Sequence, residues 1–224
     1  MRTLRVLARL LSYPTAELRQ AAQELRAVLA EEGALPAKHR AAVGALIDDI
    51  ARGTPFDAQE RYVALFDLGR GCSLHLFEHV YGDSRERGQA MVALADRYRA
   101  AGLAVSANEL PDYLPLVLEY ISVAPPDEAK ALLAEIAHVV EALGTRLARR
   151  NSPYAAIMGA LGALAGKRLH STADLVTIDH DDDSPEALDR AWEEAAVTFG
   201  PENAPNSGGC DRAAAILSRM NPGS

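Results

Sequence analysis

The chain has 224 residues, enough for one domain with a sizeable core, and 49% of them are hydrophobic. Aromatic residues account for only 5%, and the abundant Ala and Leu favour helices over strands. The formal charge is −8, but residues 1–170 carry 20 acidic and 20 basic side chains. A neutral body without a basic face argues against binding to nucleic acid or to an anionic membrane surface.

Several features bear on the compartment of the protein. Cys72 and Cys210 lie far apart in sequence, so they do not make a disulfide framework and need no oxidising compartment. A membrane-spanning helix requires about 18 consecutive apolar residues, and no such run occurs. Arg2, Arg5 and Arg9 interrupt the apolar stretch at the N-terminus, which argues against a secretory signal. We therefore expect a cytoplasmic protein without membrane insertion.

Apolar residues recur at i, i+3, i+4 and i+7 in several stretches, which is the spacing of one face of a helix. Thr15 precedes the first of these stretches and can cap a helix there. In chain order the predicted faces are Leu18, Ala22, Leu25 and Leu29; Val43, Leu46, Ile47 and Ile50; Met91, Leu94, Ala95 and Tyr98; Leu114, Val117, Leu118 and Ile121; and Leu132, Leu133, Ile136, Val139, Val140, Leu143 and Leu147.

Three dipeptides indicate helix starts: Thr54-Pro55, Ser152-Pro153 and Ser184-Pro185. In each, a capping hydroxyl precedes a proline, which needs no backbone donor at the first helical position. Pro115 is compatible with a helix around 114–121 if it lies in the first turn, where amide donors are unpaired anyway. No convincing strand pattern occurs, so we predict an all-α fold, a single bundle domain of about nine helices.

Residues 171–224 differ in composition from the rest of the chain. They carry 11 acidic and 3 basic side chains and so hold the whole excess of negative charge. Gly200 to Gly209 is rich in Pro, Gly, Asn and Ser, whereas Pro185 to Ala196, around Trp192, has a helix-like pattern. We predict a helical domain over 1–170, followed by an acidic, largely disordered tail with one short helix.

His75, Glu78 and His79 match the pattern H-x-x-E-H. On a helix, this spacing lets two imidazoles bind zinc while the glutamate handles the proton of a bound water. A hydrolase would also need a third protein ligand, for which Glu109 and Glu119 are two of many candidates. The residues alone leave a zinc-dependent hydrolase open beside a structural or peptide-binding role.

Aromatic, histidine and charged residues are concentrated between Tyr62 and Glu119. Side chains of both charge signs beside aromatic rings, on short helices interrupted by Gly and Pro, suit a groove for a helical or extended peptide. An ordinary core with solvated edges would produce the same pattern. The concentrated residues are Tyr62, Phe66, His75, Phe77, Glu78, His79, Tyr81, Asp83, Arg85, Arg87, Tyr98, Glu109, Asp112, Tyr113 and Glu119.

Segments of this region resemble the signature of a known family: YVALFDLGR at 62–70, SLHLFEH at 73–79 and GDSRERGQAMV at 82–92. The family is that of the nitrate reductase molybdenum cofactor assembly chaperones, the delta-subunit branch of the TorD-like chaperones of molybdoenzymes. NELPDYLP at 108–115 resembles another signature of that branch, and LLSYP at 10–14 resembles its opening. The resemblance covers roughly residues 3 to 165. Gly71-Cys72 departs from it, since a more basic pair is expected there.

The resemblance implies a helical protein without enzymatic activity that binds the N-terminal segment of the catalytic (alpha) subunit of respiratory nitrate reductase. It would hold this client while molybdenum cofactor and an iron–sulfur cluster are inserted, keep no cofactor or metal itself, and then leave. Molybdenum-cofactor delivery proteins are further expected partners, and a chaperone of another molybdoenzyme is the alternative within the family. Carried over residue by residue, the client-binding surface comprises Tyr62, His75, Glu78, His79, Asp83, Arg85, Glu109, Asp112 and Tyr113.

Overall fold

A computed structural model of the chain describes residues 1–68, 70–81, 84–105 and 109–166, apart from the side chain of Arg70. These residues form ten α-helices and one 3₁₀ helix, and no strand occurs among them. The predicted all-α fold is thereby confirmed. Asp83, the predicted helix start at Ser184, the end of the predicted domain at 170 and the predicted tail over 171–224 lie outside the described residues.

Most of the helices follow one another through connections of a few residues. They are α1 (Arg2–Leu10), α2 (Ala16–Gln20), α3 (Ala22–Glu32), α4 (Ala37–Ala51), α5 (Pro55–Phe66), α6 (Glu78–Tyr81), α7 (Glu86–Ala100), α8 (Leu114–Val123), α9 (Pro126–Arg149) and α10 (Ala155–Leu164), with the 3₁₀ helix (Arg70–Cys72) between α5 and α6. Within the described ranges, no helix has both the length and the apolar character that crossing a membrane requires.

The apolar faces predicted from the sequence form much of the buried core. Every predicted position in α4, α8 and α9 is buried. In α7, Leu94 and Tyr98 are buried, whereas Met91 and Ala95 are half-buried. Burial of one such large apolar side chain stabilises the fold by about 1.5–3 kcal/mol relative to its exposure.

The predicted helix starts agree with the structure to different degrees. The Thr54 hydroxyl accepts from the N–H of Asp57 at 3.3 Å, and the Asp57 carboxylate accepts from the N–H of Thr54 at 2.9 Å, which makes a capping box for α5. Pro115 lies in the first turn of α8, as predicted. The start at Ser152 is displaced, since residues 152–154 form a turn and α10 begins only at Ala155.

The first predicted helix is divided in two. Thr15 caps α2 as predicted, because its hydroxyl accepts from the N–H of Leu18 at 3.3 Å. However, α2 ends at Gln20 and α3 begins at Ala22. Leu18 of α2 and Leu29 of α3 are buried, whereas Ala22 and Leu25 between them are half-buried. The periodic pattern thus predicted the helical content correctly and missed the interruption.

Two packed groups of helices make up the bundle. α10 packs on α9 and α4, and α1 packs on α8 and α3. At the α9–α10 contact, a Cβ atom on Gly144 would lie 3.1 Å from Cβ of Met158, so any larger residue there would require Met158 to shift. The 3₁₀ helix packs against α5 and α9. It thereby connects the segment 70–81, which carries both predicted histidines, to the bundle.

Candidate functional site

Two tyrosine hydroxyls link three separate parts of the chain. Tyr62 of α5 donates a hydrogen bond to the backbone carbonyl of Leu11, directly after α1, at 2.8 Å. The hydroxyl oxygen of Tyr113, just before α8, lies 3.1 Å from that of Tyr62 and 3.4 Å from the same carbonyl. Burial raises the pKa of both phenols, so they remain neutral hydrogen-bonding groups near neutral pH. This linkage fixes Tyr113 relative to α1 and α5.

The fully buried side chain of Asp112 holds the segment that precedes α6. Its Oδ2 accepts a hydrogen bond from the backbone N–H of Phe77 at 3.0 Å, and its Oδ1 lies 3.3 Å from Nδ1 of His75. Burial of a carboxylate costs free energy unless the group is hydrogen-bonded, and these two donors offset that cost. Asp112 therefore positions His75 and the backbone of Phe77 from inside the fold.

A short backbone bridge reinforces this contact. Two hydrogen bonds of 3.0 and 2.8 Å tie residues 74–76 to residues 112–114. His75 and Tyr113 are consequently paired as in antiparallel strands, and their ring centroids lie 5.5 Å apart. Both side chains are half-buried. The bridge thus places an imidazole and a phenol side by side at the edge of the core.

The surroundings of His75 favour its protonated form. The hydrogen bond with Asp112 raises the pKa of this imidazole above its ordinary 6.5, and the charges of Asp112 and Glu78 act in the same direction. Partial burial and the positive charge of Arg87 oppose the shift. The raised pKa extends the pH range in which this imidazole carries a positive charge.

Arg146 of α9 orients the second histidine. Nε2 of His79 donates to the carbonyl of Ser73 at 2.8 Å, since a carbonyl oxygen can only accept. Nδ1 of the neutral ring is then an acceptor, and it lies 3.3 Å from Nη1 of Arg146, which also donates to the carbonyl of Gly71 at 3.0 Å. Sequence reasoning missed Arg146, because nothing in the pattern of α9 connects it to a residue 67 positions away.

His75 and His79 do not share a helix face. α6 begins only at Glu78, and His75 lies in the backbone bridge before it. Across the described ranges, no three His, Cys, Asp or Glu side chains are grouped so that they could hold a metal ion. The helical spacing on which the zinc-hydrolase alternative depends is therefore absent from this segment.

Two of the predicted client-binding residues lie beneath the surface. Tyr62 has 3% of its surface exposed and Asp112 has none. Their hydrogen bonds run to Leu11, to Phe77 and to the half-buried pair above them. Their position is that of supports for His75 and Tyr113.

The remaining predicted residues are accessible to different degrees. Glu78 is half-buried, and its carboxylate pairs with the guanidinium of Arg87 at 3.1 Å. Arg85, at the start of α7, and Glu109 are exposed. Asp83 lies outside the described residues. The structure thus brings His75, Glu78, His79 and Tyr113 into one region, with charged side chains around it.

Further aromatic rings pack around Tyr62. Phe66 lies one turn later on α5, with ring centroids 4.9 Å apart, while Tyr154 and Tyr13 pack edge-on at 6.3 and 5.7 Å. Such pairs contribute about 0.5–1.5 kcal/mol each beyond the area they bury. The site therefore rests on a rigid aromatic support. Tyr13 and Tyr154 were not among the predicted site residues, because only the tertiary fold brings them to α5.

Comparison with known proteins agrees with the signatures that converge on this site. A family model described as nitrate reductase delta subunit matches residues 12–158. The chain belongs to the nitrate reductase delta subunit family. The resemblance expected from the sequence is thereby confirmed, and the family consists of cofactor-assembly chaperones rather than enzymes.

Three relatives illustrate the family. The nitrate reductase molybdenum cofactor assembly chaperone NarJ of Escherichia coli is 43% identical over 196 residues, which cover 87% of this chain and 83% of that protein. The "Probable nitrate reductase molybdenum cofactor assembly chaperone NarW" of the same organism is 38% identical over 206 residues, with coverages of 91% and 86%. A Bacillus subtilis protein named as a probable NarJ chaperone is 30% identical over 159 residues, with coverages of 71% and 85%.

Proposed function

We propose that this chain is a cytoplasmic assembly chaperone that binds the N-terminal segment of the catalytic (alpha) subunit of respiratory nitrate reductase. It holds that subunit while molybdenum cofactor and an iron–sulfur cluster are inserted, and it then dissociates. The family and the names of its relatives support this role. Molybdenum-cofactor delivery proteins are the further partners that the role requires.

The convergence of the signature segments is the observation that carries this proposal. The hydroxyl linkage of Tyr62 and Tyr113 to Leu11, and the contact of Asp112 with His75, join segments that lie far apart in sequence. A binding surface needs accessible polar and aromatic groups on a rigid support. Both are present here. The converging segments, within the residues that the structure describes, are 10–14, 62–68, 73–79 and 109–115.

Within this surface we assign two kinds of role. Half-buried and exposed side chains contact the client, whereas Tyr62 and Asp112 position those side chains from below. Asp83 stays a contact candidate on the basis of the family signature. The proposed contact residues that the structure describes are His75, Glu78, His79, Arg85, Glu109 and Tyr113.

Calorimetric titration with synthetic peptides tests the client assignment. We expect the peptide that copies the N-terminal segment of the nitrate reductase catalytic subunit to bind with roughly micromolar affinity, because a chaperone must also release its client. Tyr113→Ala should weaken binding about tenfold, and His138→Gln, an exposed histidine of α9, should leave it unchanged. Binding of another molybdoenzyme's leader peptide, with no binding of the nitrate reductase peptide, would make the client assignment wrong.

Two further measurements examine the chemistry of the histidines. Protonation on the binding surface would change the charge that faces the client near neutral pH. We therefore expect the double variant of His75→Ala and His79→Ala to lose the wild-type dependence of peptide affinity on pH between about 6 and 8. Stoichiometric, tightly bound zinc in the purified protein would instead favour the hydrolase alternative.

A further inference from the structure

Three arginines are concentrated at the C-terminal end of α9. Arg146, Arg149 and Arg150 stand at i, i+3 and i+4, so they lie on one side of the helix. Arg149 is exposed, whereas Arg146 and Arg150 are half-buried. The dipole of a helix places about half a negative charge at its C-terminus, which offsets only a small part of three positive charges. This arginine cluster is therefore a positively charged surface, although residues 1–170 are neutral in total.

The 3₁₀ helix fixes two members of the arginine cluster. Nη1 of Arg146 donates to the carbonyl of Gly71 at 3.0 Å, and Nη1 of Arg150 donates to Sγ of Cys72 at 2.7 Å. Residues 142–158 contain no Asp or Glu, so this stretch of the chain supplies no carboxylate to the cluster. Cations held at fixed positions favour an acidic partner, because the partner does not have to order them.

The last residue that the structure describes lies near the opposite end of α9. A Cβ atom on Gly166 would be 2.9 Å from Cε of Lys130, so Gly166 packs against the side chain of Lys130 near the start of the helix. Between Lys130 and the arginine cluster, α9 rises by roughly 24 to 30 Å at 1.5 Å per residue. The chain therefore continues from a point within about 30 Å of the cluster.

The sequence after Gly166 contains the complementary charge. Four of the five residues 179–183 are aspartates, and residues 171–224 carry 11 acidic and 3 basic side chains. Asp181 follows Gly166 by about 15 residues, which can span up to about 50 Å when extended. The aspartates can therefore reach the arginine cluster along the length of α9. Because they belong to the same chain, their effective concentration at the cluster is on the order of millimolar.

We propose that the acidic run 179–183 of this chain docks on the arginine cluster at the C-terminal end of α9. Several charges on each side form a network, which stabilises a surface contact better than an isolated ion pair does. The docked run lies beside the histidine segment, because Arg146 contacts both Gly71 and His79. This inference goes beyond the proposed function and does not depend on it, since no client takes part in the contact.

The single tryptophan of the chain reports on this contact. Trp192 follows the acidic run closely in sequence, so its fluorescence anisotropy in the full chain is higher when the run is docked. We expect the anisotropy to lose about a third of its value as salt rises from about 0.05 to about 0.5 M, because salt screens exposed charges. The triple variant of Asp181→Asn, Asp182→Asn and Asp183→Asn should have the lower value already at low salt. Equal anisotropy of wild type and triple variant at low salt overturns the proposal.

A pair of charge reversals distinguishes the arginine cluster from net charge. Arg149→Glu places a negative charge in the cluster and should lower the Trp192 anisotropy at low salt to about the value of the triple variant. Lys38→Glu reverses an exposed cation in the first turn of α4 and should keep the wild-type value. A similar loss in both reversals overturns the proposal, because the effect would then follow the total charge. Equal thermal unfolding of the two variants shows that folding does not cause the difference.

Dilution separates docking within one chain from docking between two copies. An effective concentration on the order of millimolar makes the contact within one chain independent of protein concentration in the micromolar range. The anisotropy at low salt should therefore stay constant between about 50 and about 1 μM protein. A fall on dilution would overturn the proposal, because the acidic run would then bind the arginine cluster of a second copy.

Discussion

The imidazole of His75 and the buried carboxylate of Asp112 face each other across 3.3 Å, although 37 positions separate the two residues in the sequence. The same carboxylate accepts a hydrogen bond from the backbone N–H of Phe77. One buried group therefore sets both the protonation of a histidine at the surface and the path of the backbone beside it. Substitutions of Asp112 can separate these two effects.

Asp112→Asn should lower the pKa of His75. The amide has nearly the same shape and keeps one oxygen for the N–H of Phe77, but it has no negative charge and can offer its NH₂ group to the imidazole. The hydrogen bond with the carboxylate is the largest cause of the raised pKa, so its loss removes the shift. NMR titration of the His75 ring measures this directly. An unchanged His75 titration in the variant would show that the carboxylate does not control it.

Because the pKa of His75 is raised in the folded state, the contribution of this residue to the unfolding free energy should depend on pH. A group whose folded-state pKa lies above its unfolded value of about 6.5 stabilises the fold fully below that pH, and this contribution is lost as pH rises through the folded-state pKa. The difference in unfolding free energy between wild type and His75→Gln should therefore be larger at about pH 6 than at about pH 8. In the Asp112→Asn background this pH dependence should shrink, and urea denaturation at both pH values measures it.

The hydroxyl linkage at Leu11 should show energetic coupling. Tyr62→Phe removes the 2.8 Å donor to that carbonyl and should cost about 0.5–1.5 kcal/mol, whereas Tyr113→Phe, whose contact with the carbonyl is longer, should cost less. Because each hydroxyl also contacts the other, the double variant should differ from the sum of the single ones. Tyr13→Phe, an exposed control, should leave unfolding unchanged. Strict additivity in urea denaturation would show that the two hydroxyls act independently.

The buried helix faces can be predicted from the sequence, whereas these long-range contacts cannot. The buried faces of α4, α8 and α9 follow from periodicity, because core packing imposes the 3.6-residue repeat on the sequence itself. The family signature indicated a candidate site without showing which of its residues are buried. Tyr62 and Asp112 were expected to contact the client, but both are buried. A family signature does not distinguish a residue that contacts a client from one that positions a neighbouring side chain. The roles of Arg146 and of the Leu11 carbonyl depend on tertiary contacts that no local pattern records.

Arg146→Ala should loosen the segment that carries the histidines. The substitution leaves the Gly71 carbonyl and Nδ1 of His79 without their shared donor, at a cost of about 1–3 kcal/mol. Arg146→Lys keeps one donor and should cost less. Hydrogen exchange over residues 70–81 should accelerate in Arg146→Ala and not in Lys130→Ala, a substitution of an exposed cation near the start of α9. Equal exchange in the two alanine variants would show that Arg146 does not hold this segment.

Thr54→Ala should reduce stability without affecting the site. Thr54 and Asp57 cap α5 reciprocally, and hydrogen bonds from Thr54 lower the pKa of the Asp57 carboxyl. Loss of the cap should lower the melting temperature by about 2–4 °C. Peptide affinity at a temperature well below unfolding should stay at the wild-type value. If affinity falls as well, the N-terminal turn of α5 contributes to binding, and losses in other variants must be corrected for stability.

Deletion of Ser171 to Ser224 should leave a cooperatively folded protein. The described helices end at Leu164, and the predicted apolar faces all lie before the deletion. We expect a single unfolding transition by circular dichroism, and its loss would show that the deleted residues belong to the core.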